Sequence, residues 1–120
     1  KWIYEIFKRI GATKSHEWFI PEIIRDSNKN IKIAWLRAFF DDEGTIPEGK
    51  KAILATSVNK KGLLQVKKLL KDIGIIAVSI NGPYFWKNFF SYRIRIKKYD
   101  VTKYARIVGF NHPKKKRQLI

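Results

Sequence analysis

The segment SYRIRIKK, residues 91–98, alternates apolar and cationic side chains. In a β-strand, successive side chains point to opposite faces, so one face carries Tyr92, Ile94 and Ile96 and the other carries Arg93, Arg95 and Lys97. A strand with one apolar and one charged face is typical of an antiparallel sheet that is covered on one side only. The segment therefore predicts a sheet whose second face is exposed and cationic.

The rest of the chain supplies the layers around this strand. From the second helix onward, the patterns predict the order α-β-β-α-β-β-α, an α+β fold in which helices cover one face of an antiparallel sheet. The helix counted as the second is IKIAWLRAFFDDE; KWIYEIFKRIG and a short helix opened by Pro21 precede it, and NKKGLLQVKKLLKDIG and VTKYARIVG follow it. The predicted strands are a short hairpin in TIPEGKKAILATSV, which turns at Pro47 and Gly49 and returns along AILATSV, and then IIAVSIN and SYRIRIKK. GPYFWKNF is predicted as an aromatic turn. Asp100 is predicted to cap the last helix, with Ala105 on its inner face.

Composition limits the function. The 120 residues include 26 Lys and Arg against 10 acids, a formal net charge of +16. Such an excess indicates a polyanionic partner, and nucleic acid is the first candidate. No apolar run is long enough to span a bilayer, so no membrane association is expected. The absence of cysteine excludes disulfides, thiolate zinc sites and cysteine nucleophiles. His16 and His112 lack metal-ligand spacing, so no histidine metal site is expected. No signal peptide is visible, so a cytoplasmic, intracellular location is expected.

FFDDEGT, residues 39–45, concentrates three carboxylates, Asp41, Asp42 and Glu43, at the end of a predicted helix. The carbonyl groups at a helix C-terminus already make that end negative, and each added anion costs about 0.3–1 kcal/mol. An arrangement that opposes stability in this way favours a functional interpretation.

Several cationic and aromatic residues are candidate contacts to nucleic acid. A ridge of Arg93, Arg95 and Lys97 could follow a phosphate backbone, and a two-stranded ribbon fits the major groove. Lys50 and Lys51 are further candidates, although solvated turn lysines are equally common. The aromatic side chains of residues 84–86 could stack on unpaired bases or fold back as a small satellite core. The run Lys114–Arg117 is predicted to be a solvated tail that adds non-specific DNA affinity.

The stretch LRAFFDDEG, residues 36–44, resembles the signature of the LAGLIDADG homing endonucleases. TSVNKKGLLQVKKLLKDIGI, YRIRI and YARIVGFNHPKKKRQL are similar to the archaeal and intein-associated branch of that family. The resemblance implies an αββαββα fold whose sheet forms a DNA-binding saddle. It also implies that two signature helices pack together and each delivers an acid to a shared site that cleaves double-stranded DNA.

The resemblance assigns roles within the signature. Glu43 would be the catalytic acid and the ligand of Mg²⁺, with Mn²⁺ as a possible substitute. Ala38, with Ala34 one turn earlier, would form the close contact between helices. Asp41 and Asp42 would also lie at the helix interface. Asp41 would be a helix-terminal structural residue, and Asp42 departs from the family pattern, which has a small residue at this helix contact.

The same resemblance suggests a basic residue near the scissile phosphate. Lys97 is the candidate, with Arg95 as substitute, and a one-residue slip would exchange Lys97 for Lys98.

Only one signature is visible, so the resemblance implies a homodimer or one half of a two-repeat protein. Residues 1–29 are interpreted as an N-terminal helical extension or linker and residues 30–120 as the endonuclease-like domain. FKRIGATKSHEWFIPEII resembles the linker before a second repeat, which favours the half-molecule. Two rivals stay open: a catalytically inactive DNA-binding regulator or RNA-splicing maturase on the same scaffold, and a basic ribosome-associated protein.

Overall fold

The computed structural model describes residues 18–47, 49 and 51–119. Within these ranges, the order of elements is helix α1 (Glu22–Arg25), α2 (Lys29–Glu43), β1 (Gly44–Thr45), β2 (Ala52–Ser57), α3 (Lys60–Asp72), β3 (Val78–Trp86), β4 (Phe89–Lys97), α4 (Lys98–Ile107) and α5 (Pro113–Gln118). From α2 to α4 this is the predicted αββαββα order.

Side chains in the sequence fix the starts of the two long helices. The Asn28 side chain accepts a hydrogen bond of 3.0 Å from the Ile31 N–H at the start of α2. At the start of α3, the Asn59 side chain accepts one of 3.0 Å from the Gly62 N–H. Each amide oxygen thus satisfies a backbone donor that has no partner within its helix.

The four strands form one antiparallel sheet in the order β1-β2-β4-β3. On β4, Ile94 and Ile96 are fully buried, whereas Arg93, Arg95 and Lys97 are exposed. The strand phase predicted from SYRIRIKK is therefore confirmed.

The core lies between the inner sheet face and the helices. Besides the inner sheet residues, it contains fully buried side chains from three helices: Leu36, Phe40, Leu63, Val66, Leu70 and Tyr104. Because these helices all lie on the inner side, the outer face of the sheet is left uncovered by them, as the α+β prediction required.

Residues before position 30 contribute to the same core. The Trp18 ring packs against Phe39 with ring centroids 5.8 Å apart, and Ile20 is fully buried. The helix predicted from KWIYEIFKRIG lies outside the described residues, and the domain boundary at residue 30 stays a prediction.

The aromatic turn predicted from GPYFWKNF is wrong. Strand β3 continues to Trp86, and only Lys87 and Asn88 connect it to β4. The β3–β4 pairing shifts register between Asn81 and Tyr84. This irregularity allows the hairpin to continue through a Gly-Pro pair that the sequence pattern marks as a turn.

Two predictions about α4 are also wrong. The helix begins at Lys98, and Asp100 lies within its first turn instead of capping it. Its carboxylate accepts hydrogen bonds of 2.8 Å from the backbone N–H groups of Ile76 and Ala77. Ala105, predicted to face inward, is exposed.

Candidate functional site

Glu43 is the last residue of α2, at the junction of that helix and the sheet. Strand β1 begins at the next residue, and the Glu43 side chain is exposed. Gly44 donates its backbone N–H to the Phe40 carbonyl. A Cβ atom at position 44 would lie 2.5 Å from that carbonyl oxygen. Only glycine lets the chain pass from the helix into the sheet at this distance, and the tight passage fixes Glu43 at the start of β1.

Asp41 connects the end of α2 to the C-terminal segment of the chain. Its Oδ1 accepts hydrogen bonds of 2.9 Å from the Asn111 N–H and 3.0 Å from the His112 N–H. Helix α5 follows directly, with His112 as its N-cap and Pro113 as its first residue. The half-buried Asp41 carboxylate thus accepts from two backbone donors of the C-terminal segment, and its structural role stays a prediction.

Lys115 neutralises the end of α2 further. Its Nζ donates to the Phe40 carbonyl at 3.2 Å and to the Asp41 carbonyl at 2.5 Å. A cation at a helix C-terminus stabilises the helix. Lys115 therefore offsets part of the electrostatic cost of the three acids Asp41, Asp42 and Glu43, here called the acid cluster. The solvated tail predicted for Lys114–Arg117 is wrong for Lys115, which is half-buried and binds the end of α2, whereas Lys114, Lys116 and Arg117 are exposed as predicted.

A buried tyrosine lies beneath this junction. Tyr104 is fully buried and packs edge-on against Phe40, with ring centroids 5.4 Å apart. Its hydroxyl has no hydrogen-bond partner among the described residues. Burial raises the pKa of the Tyr104 hydroxyl well above its usual range, and the negative charge of Asp41 adds to the effect, while Arg37 opposes it. The Tyr104 side chain therefore supports the acid cluster as a neutral packing group.

The exposed sheet face is cationic. Arg93, Arg95 and Lys97 lie on it, and their cross-strand neighbours on β2 are Thr56, Leu54 and Ala52. None of the described strands contains an acidic residue. The described strands therefore add no negative charge to this face that would compete with a polyanion.

The register relates Glu43 to this face. Gly44 pairs with Ala55, and Ala55 pairs with Ile94. Glu43, immediately before Gly44, is therefore near the level of Arg93, two strand spacings or about 10 Å across the sheet.

The predicted catalytic cation is further away. Lys97 lies four residues beyond Arg93 on β4, about 13 Å along the strand. Lys51 is exposed next to the residue that pairs with Lys97, and Lys50 lies outside the described residues. The structure thus brings Lys115 and Arg93 closer to the acid cluster than it brings Lys97.

The predicted helix-interface residues differ in exposure. Ala34 is half-buried, Ala38 is buried and Asp42 is exposed. Ile31, on the turn before Ala34, is also exposed. Their role in packing against a second signature helix stays a prediction.

The described part of the chain contains no cluster of three or more His, Asp or Glu side chains that could hold a metal ion. In the same ranges, no helix combines the length and apolarity needed to cross a bilayer.

The LAGLIDADG-like domain family matches residues 30–109, two thirds of the chain. The chain belongs to this family. The match extends from the start of α2 to the end of α4, so it includes the acid cluster and all four strands.

Two curated relatives of this LAGLIDADG chain are longer than the chain itself. Homing endonuclease I-ApeI of Aeropyrum pernix is 23% identical over 109 residues, which cover 90% of this chain and 48% of the relative. The ribonucleoside-diphosphate reductase NrdEB subunit alpha of Bacillus subtilis is 31% identical over 77 residues, 61% of this chain and 7% of the relative. The chain thus spans about half of the first relative and a small part of the second.

A solved structure shows the same fold. The structure of I-DmoI in complex with DNA and Mn matches with a TM-score of 0.59 and 23% identity, over 73% of this chain and 47% of I-DmoI. A structure of mesophilic variants of I-DmoI matches with a TM-score of 0.60. The LAGLIDADG endonuclease fold predicted from the sequence is confirmed.

Proposed function

We propose that the chain cleaves double-stranded DNA at a specific site, as one half of a LAGLIDADG endonuclease that contains two signature helices. The observation that carries this proposal is the position of Glu43. It is an exposed carboxylate at the junction of the signature helix and the sheet, held there by Gly44 and adjacent to a cationic face. Relatives that are named as homing endonucleases or solved with DNA and Mn support the choice of substrate and reaction.

The residues present fit a hydrated divalent ion, Mg²⁺ or Mn²⁺. Glu43 would hold it, because Mg²⁺ is bound through one or two protein carboxylates, with water and phosphate oxygens completing its coordination. The ion would polarise the scissile phosphate and lower the pKa of the attacking water.

Cations of this chain would stabilise the charge that develops on the phosphate. We infer that Lys115 and Arg93 contribute, because Lys115 contacts the carbonyl of Asp41 and Arg93 is near the level of Glu43. Lys97, the residue proposed from the sequence, would contact the DNA backbone further along the ridge together with Arg95. Lys51, exposed next to the residue that pairs with Lys97, would extend the same contact.

A second signature helix is needed because one chain offers one Glu43. A homodimer or a second repeat would supply it, with Ala34 and Ile31 at the contact between helices. The exposure of Ile31 on α2 favours such a contact. Size-exclusion chromatography with light scattering, with and without duplex DNA, distinguishes the homodimer from the half-molecule.

Cleavage of a linear duplex that carries the gene's native flanking sequence tests the proposal, with Mg²⁺ or Mn²⁺ present and with both omitted. We expect cleavage only with a metal ion, and a loss of at least about 100-fold in rate for Glu43→Gln. Glu22→Gln is the matched control because Glu22 is an exposed acid in α1 and lies outside the signature stretch of residues 36–44.

Two results would favour the rival functions. Tight duplex binding without nicking would support a catalytically inactive regulator or maturase. Stronger binding to ribosomal RNA fragments than to the duplex, with no response to metal ions, would support a ribosome-associated protein.

A further inference from the structure

The far half of the β3–β4 hairpin exposes an unusual number of aromatic side chains. Tyr84, Phe85, Trp86, Phe89 and Phe90 are all exposed, within seven successive positions of the two strands and their turn. Apolar rings on a solvated strand do not contribute to the core, and a concentration of them marks an interaction surface. The alternative of a satellite core is not what the structure shows.

The strand pairing divides these rings between two faces. Opposed residues of an antiparallel pair share a face, and residues two positions apart along one strand share it too. Phe89 is therefore on the face of Arg93 and Arg95, and Trp86, which pairs with Phe89, is also there.

The register shift places Trp86 on this face. Asn81 pairs with Arg93 before the shift, and Tyr84 pairs with Ser91 after it. The outward positions of β3 therefore change from odd to even numbers across the bulge. Without the extra residue, Trp86 would face the opposite side. A bulge that re-aims side chains is a recurrent feature next to functional sites.

The aromatic face continues the cationic ridge. The Arg93 guanidinium lies over the Tyr84 ring, 5.0 Å from its centroid. Lys87 in the hairpin turn lies 5.8 Å from the centroid of the Trp86 ring. The same surface thus offers positive charge for phosphates and flat rings for bases, the combination that proteins use to bind unpaired nucleotides.

We propose that Trp86 and Phe89 stack on DNA bases that are unpaired or unstacked where the duplex reaches the end of the hairpin. Trp86 is 72% exposed and Phe89 is 71% exposed, and the two form a cross-strand pair. This inference rests on the proposed function and adds to it a contact that depends on distortion of the DNA.

Phe85 provides a matched control. It is adjacent to Trp86, is 76% exposed and belongs to the same hairpin, but it lies on the opposite face. If bases stack on the face that carries the cationic ridge, binding depends on Trp86 and not on Phe85. If the rings bind nonspecifically through their hydrophobicity, binding depends on both.

The experiment measures affinity by fluorescence anisotropy for two labelled duplexes of equal length, one fully paired and one with a central two-nucleotide bulge. We expect the parent chain to prefer the bulged duplex by at least about fivefold, the lower limit for stacking on one base. Trp86→Ala should remove the preference for the bulged duplex. Phe85→Ala should keep the preference.

The outcomes separate this proposal from the proposed function. Equal affinity for both duplexes in the parent chain overturns stacking but leaves DNA binding intact, whereas binding to neither duplex refutes both. Loss of the preference in Phe85→Ala overturns the claim that the bases contact only the face of the hairpin that carries Trp86. If light scattering shows that Trp86→Ala changes the oligomeric state and the DNA preference is unchanged, the rings contact protein and the proposal is wrong.

Discussion

The two long helices, α2 and α3, differ in the residues at their C-terminal ends. Helix α3 carries Lys71 in its last turn, and Gly74, at φ +93°, donates its N–H to the Lys71 carbonyl just beyond it. Helix α2 has no basic residue in its last turn, carries the acid cluster there and passes directly into β1. Helix α3 also ends in an acid, Asp72, but two lysines pair with that carboxylate: Lys68 of the same helix, and Lys32 of α2 at 3.0 Å. The end of α2 carries three acids, and its last carbonyls accept from Lys115, 74 residues beyond Asp41. Three acids concentrated at one helix C-terminus oppose the stability of that helix, which indicates a function other than stability.

The largest effect on stability is expected from adding a methyl group at Gly44, after α2, and the same change at Gly74, after α3, gives the comparison. Gly44→Ala should lower the free energy of unfolding by about 3 kcal/mol, because its Cβ would collide with a backbone carbonyl of α2. Gly74→Ala should lower it by about 1 kcal/mol, because its Cβ meets nothing within 4 Å and only the positive φ opposes it. Urea denaturation of both variants measures the difference, and equal losses would show that the α2–β1 passage is not tight.

The next largest loss of stability is expected from removing the Asp100 carboxylate, which binds the segment after α3. Hydrogen bonds from the backbone N–H groups of Ala77 and Ile76 lower the pKa of Asp100, although desolvation opposes them. Asp100→Ala leaves two donors unpaired and should cost about 2 kcal/mol at pH 7.

The contribution of Asp100 should depend on pH in one direction. Because its folded-state pKa lies below the unfolded value of about 3.9, the contribution is complete above that value and is lost as the pH falls through the folded-state pKa. Urea unfolding of parent and variant between pH 7 and pH 2 should therefore converge at the acid end. A constant difference would contradict the ionic role of the carboxylate.

A smaller effect is expected at the end of α2. Lys115→Met should lower the free energy of unfolding by about 1 kcal/mol, because the last carbonyls of α2 lose a charged donor. Lys116→Met is the control, since Lys116 is exposed, and it should change stability by less than about 0.5 kcal/mol. Equal effects in urea denaturation would mean that the C-terminal helix does not stabilise the acid cluster.

Local periodicity explains which parts of the fold could be predicted. Helices α2 and α3, the phase of β4 and the Gly44 boundary follow from patterns within a few residues. The acids of the signature were identified in the same way, because their position relative to the helix end is local.

The parts that were missed depend on distant contacts. The hydrogen bonds of Asp100 to the chain after α3 and the length of the β3–β4 hairpin arise from pairing partners that no local pattern specifies. Lys115 was missed because the run KKKR gives charge without direction. The sequence His112-Pro113 was an available signal, since proline at the first position after a capping residue predicts a helix start.

The central claim is that a divalent ion and a DNA phosphate neutralise the carboxylate of Glu43. The most direct test is the duplex affinity of parent and Glu43→Gln, measured with and without Ca²⁺ on a duplex carrying the native flanking sequence. The account predicts that Ca²⁺ tightens binding by the parent chain, and that Glu43→Gln binds well without the ion and gains nothing from it. An equal gain from Ca²⁺ in both proteins, or none in either, would contradict the account.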